Sequence, residues 1–106
     1  MSQLEQAFQA ELIASIECAE RECGVQQKRL QADVEKFGAV SAARELFRKH
    51  RMSEGFAGLA QAGRLELSLE ALATAGKYGS LFTDDEVNAC FTALCDSGFY
   101  VWHGSN

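Results

Sequence analysis

Four cysteines and two histidines are the residues of this chain best suited to chemistry. The cysteines fall into two pairs of identical spacing, Cys18 with Cys23 and Cys90 with Cys95. Paired thiols can hold a metal, exchange a disulfide or, beside a base, supply a nucleophile. The spacing argues against a shared metal. On a helix, five residues at about 100° each leave the two sulfurs about 140° apart. A zinc site more often shows two intervening residues or nearby histidines, and neither His50 nor His103 adjoins a cysteine. The expectation is therefore four reduced thiols in structural roles, with no metal and no cofactor. His50 is the candidate base for Cys90, which keeps a cysteine-dependent enzyme among the alternatives. The chain has no glycine-rich phosphate loop, no His-x-Glu zinc motif and no G-x-S-x-G elbow. Gly55, Gly58 and Gly63 follow no strand pattern, so they make no dinucleotide fingerprint. The reading is that the protein is not an enzyme.

Charge is sorted along the chain. Residues 1–24 carry five acids and one base, residues 25–52 seven bases and three acids, and residues 53–106 seven acids and two bases. Such separation reads more readily as a docking surface than as a catalytic centre. The acidic candidates are Glu11, Glu17 and Glu20, set off the apolar stripe of the first helix. The basic candidates are Arg44, Arg48 and Arg51, at i, i+4 and i+7 on one helical face, with Lys49 beside them. A net charge of −5 is the reverse of the usual nucleic-acid footprint. A protein partner with a basic surface is therefore favoured. An accessory nucleic-acid-binding module using the basic helix is the alternative.

The elements that must position these residues are helices. The chain has 106 residues, 47% of them apolar, which suits one domain with one core. It contains no proline, and its glycines fit the ends of short helices. Leu4, Phe8, Leu12, Ile16, Ala19 and Cys23 form one stripe, so a long helix is predicted from Ser2 to about Glu22. Ser2 with Glu5 has capping-box spacing, and Gly24 stops the helix. A second helix is predicted over about Gln26–Phe37, with Leu30, Val34 and Phe37 inward. A third is predicted over about Val40–His50, with Ser41 near its start and Val40, Ala43, Leu46 and Phe47 inward. Ser53 is read as the cap of a short helix ended by Gly63. Residues 64–67 alternate and read as an extended connector. Ser68 caps a helix to about Ala75, and Gly76 and Gly79 bracket a turn. Thr83-Asp84-Asp85-Glu86 starts the last helix, with Val87, Phe91 and Leu94 buried and Gly98 as its end. Trp102, in an apolar C-terminal stretch, is either a lid on the core or an anchor for a partner. The fold class is all-α: a bundle of five to seven short helices with a long first helix, in a single domain over 1–106.

No apolar run is long enough to span a bilayer, which predicts no membrane partner. The first residues lack a basic, then apolar, signal segment, which predicts a cytoplasmic protein.

Several motifs carry a resemblance. They are Glu17-Cys18-Ala19 through Glu22-Cys23-Gly24, Phe37-Gly38-Ala39-Val40, Ser53-Glu54-Gly55-Phe56 and Gly63-Arg64-Leu65-Glu66-Leu67-Ser68. Glu70-Ala71-Leu72 and Leu81-Phe82-Thr83 complete them. On these residues the chain resembles a small helical bacterial family of unassigned activity. The resemblance implies a helical fold and a bacterial or mobile-element origin, and it supplies no catalytic residue. In size, acidity and lack of catalytic signature the chain is also similar in type to anti-CRISPR proteins. That similarity implies an inhibitor that occupies the surface of a CRISPR effector subunit or another nucleic-acid-handling complex.

Overall fold

The structure, a computed structural model, describes residues 2–98. Ser2 opens the first helix, α1 (Gln3–Cys23), with a complete capping box: its Oγ accepts from the Glu5 amide while the Glu5 carboxylate accepts from the Ser2 amide. Gly24, at φ 68°, closes it. There follow α2 (Lys28–Phe37), α3 (Ala39–Arg48), α4 (Phe56–Ala62), α5 (Leu69–Ala73) and α6 (Asp84–Asp96). Two short 3-10 helices, Leu65–Leu67 and Gly76–Leu81, flank α5. The fold is all-α, with no strand among the described residues.

Two apolar clusters make the core. One gathers Phe8, Leu12 and Ile16 of α1, Leu30 and Val34 of α2, Val40, Ala43 and Phe47 of α3, and Cys90 of α6. Tyr78, Phe8, Phe82 and Phe47 meet edge to face in series, with centroids 5.2, 5.3 and 5.4 Å apart, the geometry that ring quadrupoles favour. The other cluster gathers Ala19, Phe56, Leu59, Leu65 and Leu94. α1 and α6 contribute to both clusters and tie them together.

Several local expectations are corrected. Phe37 is 57% exposed and not inward, because α2 ends there and Gly38 turns the chain directly into α3. Phe91 is 39% exposed; Cys90 and Leu94 are the buried residues of α6, with Val87 half-buried. Residues 64–67 are not extended: Leu65–Leu67 is a 3-10 turn that buries Leu65. α3 begins at Ala39, one residue before the expected Val40, and ends at Arg48 rather than His50, and α5 stops at Ala73 rather than Ala75. Ser53 caps nothing. Its amide (2.6 Å) and hydroxyl (2.8 Å) both donate to the buried carboxylate of Glu70. Ser68 does cap α5, accepting from the Ala71 amide, and Thr83 caps α6 with a capping box to Glu86. The expectations for Phe99, Tyr100 and Trp102 lie outside the described residues.

Candidate functional site

One wall of a groove beside α6 is fixed by residues 53–56. Glu70 of α5 holds Ser53 by two hydrogen bonds. Glu54 Oε1 accepts from the amides of Arg29 (2.9 Å) and Leu30 (3.1 Å), so it caps α2, whose own N-cap Gln27 makes no side-chain cap bond. Gly55 lies against the buried Gln27 side chain; a Cβ there would stand 2.5 Å from Gln27 Cδ. Phe56 buries its ring in the second cluster. Ser53 is thus tied to α5, Glu54 and Gly55 to the start of α2 and Phe56 to the second cluster, and together they fix the path from α3 to α4.

Across that path lies one face of α6. His50, Met52 and Phe56 on one side and Asp85, Asn88, Ala89, Thr92, Ala93, Asp96 and Ser97 on the other line a groove of about 690 Å³. Met52 is 37% exposed there. Among the described residues no lysine or arginine lines the groove. Asp85, Asn88, Ala89, Thr92 and Asp96 recur at helical spacing, which puts them on the side away from Cys90 and Leu94. Apolar periodicity in the sequence does not mark this face, because its stripe is small and polar. Two signals were available: an acid in the last turn of α6, and a histidine at the end of α3.

His50 has φ 56°, the left-handed region. Its amide reaches Phe47 O (3.0 Å) and the Arg51 amide reaches Leu46 O (2.9 Å), a Schellman closure of α3. α4 closes in the same way, with Gly63 in the left-handed position.

The acidic candidates of α1 separate into two kinds. Glu11 is half-buried and pairs with Lys77 Nζ at 2.5 Å, which holds its carboxyl below the usual range. Glu22 accepts from the Cys18 thiol and from Arg64, and both lower it. Glu17 and Glu20 are exposed and form no ion pair among the described residues. Of the basic candidates, Arg44 and Arg48 lie on α3, whereas Arg51 lies beyond its end, so the i, i+4, i+7 helical face does not extend to it. Arg44 turns its guanidinium to the carbonyl of Leu81, with Nε at 2.9 Å and Nη2 at 2.5 Å. Arg48 and Lys49 both pair with Glu45. Arg51 is exposed and outside any ion pair among the described residues. Trp102 lies outside the described residues.

The cysteines stand as free thiols. Cys90 is fully buried in the core, and burial pushes its thiol up to about 12, opposite to what a nucleophile needs. His50 opens onto the groove, which Cys90 does not line. Cys18 donates to Glu22, which raises its thiol also. Among the described residues no three His, Cys, Asp or Glu side chains stand together as a metal site, and no helix is long and apolar enough to cross a membrane. No family model, curated protein or solved structure matches the chain.

Proposed function

We propose that this protein is a non-enzymatic, cytoplasmic binding protein that docks its carboxylates on a basic surface of a protein partner. The partner class is a subunit of a nucleic-acid-handling complex, and the mode of action is occupation of a surface meant for phosphates, as in anti-CRISPR proteins of bacterial mobile elements. One observation carries the reading: the cations of α3 are engaged within the molecule, whereas Glu17, Glu20, Asp84, Asp85 and Asp96 are exposed and outside any ion pair among the described residues. Arg44 on the Leu81 carbonyl and Glu45 beside Arg48 and Lys49 leave Arg51 as the one basic candidate outside any ion pair among the described residues, with Lys28 and Arg29 of α2 exposed as well. The engagement of Arg44, Arg48 and Lys49 weighs against the nucleic-acid-binding alternative.

Affinity capture from a bacterial lysate at moderate salt, followed by association kinetics with the recovered partner, tests the proposal. Reversing Glu17 and Glu20 to lysine should slow association more than it speeds dissociation, because rim charges act chiefly on the on-rate. Reversing Arg48 and Arg51 to glutamate should do less. Loss of binding with the arginine reversals alone, or capture of bare nucleic acid with a steep salt dependence, would reject the proposal in favour of the basic helix.

A further inference from the structure

Two residues that are poor local choices face the same groove. Asp96 sits in the last turn of α6, where the helix dipole is negative and a cation is favoured. That turn contains no base, and Asp96 forms no ion pair among the described residues. His50 occupies a left-handed position that glycine fills at the matching end of α4. Sequences that specify a fold agree with themselves locally except where function intervenes. Both exceptions line the same depression, with the half-exposed Met52 beside them.

We infer that the groove between α6 and the His50–Phe56 turn is the docking surface for a cationic amphipathic helix of a protein partner. The charge sign is set by the lining: Asp85 and Asp96 are its acids, and among the described residues no lysine or arginine lines it, the exposed Arg51 between His50 and Met52 standing outside the lining. They stand three helical turns apart on one face, about 16 Å along the axis. Between them Ala89 and Thr92 are small, so a second helix can approach closely. Met52 offers an adaptable apolar contact, the use to which thioether side chains are suited. His50 supplies an aromatic wall with hydrogen-bonding nitrogens. The partner element is thus a helix with cations three turns apart and small or apolar residues between them. The inference rests on the docking reading above for the class of partner, and it assigns the place and shape of contact.

The probe is a labelled synthetic helical peptide with two lysines three turns apart flanking a leucine–alanine face, read by fluorescence anisotropy with the full chain. Saturable binding is expected. Asp96→Lys should weaken it about tenfold while leaving the melting temperature equal or higher, because it removes a rim charge but relieves the dipole conflict. His50→Gly should weaken it too, again without loss of stability. Glu17→Lys should leave peptide binding unchanged. Absence of saturable binding, or unaltered binding to the Asp96→Lys and His50→Gly proteins, overturns the inference. A dimer in sedimentation that Asp96→Lys dissolves would give the groove to a second copy. Peptide binding that emerges only with Trp102→Ala would give it to the chain's own residues 99–106. Either result overturns the inference. If the peptide fails but lysate capture still returns a basic partner, only the groove assignment falls. If the peptide binds but no nucleic-acid-handling complex is recovered, only the wider reading falls.

Discussion

At the scale of single residues, Glu70 is the side chain on which most depends. It is 0% exposed, and its two acceptor bonds fix Ser53 and with it one wall of the groove. Glu70→Ala should therefore lose about 2–4 kcal/mol, since it leaves buried donors without an acceptor. Glu70→Gln keeps an acceptor and should lose much less. Burial raises the Glu70 carboxyl above its ordinary 4.5, against the lowering by Ser53. The folded protein then retains this proton at pH values where the unfolded chain has released it. Its contribution is complete below about 4.5 and declines as pH rises through the raised folded value. Urea denaturation from pH 4 to 7 should show wild type losing ground to Glu70→Gln as the pH increases. A constant difference between the two would remove this account. Glu5, Glu11, Glu22, Glu45 and Glu66 are lowered by their hydrogen bonds and act oppositely, losing their contributions as pH falls below 4.5. These groups are surface-placed, so their share is small. His50→Gly relieves a left-handed non-glycine residue and should raise stability by about 1 kcal/mol, read from the urea midpoint. Thiol labelling should modify Cys95, which is exposed, long before Cys90, which should react only on unfolding. Rapid labelling of Cys90 in the native protein would contradict its place in the core.

At the scale of elements, the ends of helices were legible and the faces less so. Ser2-x-x-Glu5 and Thr83-x-x-Glu86 are capping boxes in sequence and in structure. Thr83→Ala should remove about 1 kcal/mol by the same urea measurement, the usual worth of such a cap. An unchanged midpoint would mean that α6 is held by packing alone. The start of α2 was not legible, because its cap is Glu54, far along the chain. Glu54→Gln should lower stability, since a neutral acceptor answers the helix dipole less well than a carboxylate. Ser53 has the sequence position of a cap, since serine before a helix usually is one. Here a buried carboxylate from α5 competes for both of its donors. Phe37 and Phe91 followed the helical period, but α2 and α6 are each covered over a narrower arc than the period assumes.

At the scale of the whole molecule, the two apolar clusters share α1 and α6, so the described fold should unfold as one unit. Leu94→Ala in one cluster and Ile16→Val in the other should both shift a single transition. The first should cost about 2–5 kcal/mol and the second about 1 kcal/mol. Helix signal and amide exchange should report the same loss. Two separated transitions would show that the clusters are independent.

The sequence by itself determined the fold class, the long first helix, the caps of α1, α5 and α6, and most of the buried positions. These follow from local spacing, from the 3.6-residue period and from side chains that satisfy nearby amides. It also determined the sorting of charge. Only the tertiary structure decided which of those charges remain open. Arg44 meets the Leu81 carbonyl and Glu11 meets Lys77 across long stretches of chain, and no local pattern encodes such pairs. The groove likewise belongs to no single segment. It exists because Glu70 anchors Ser53 and Glu54 anchors α2, which holds His50, Met52 and Phe56 opposite the small, acid-flanked face of α6.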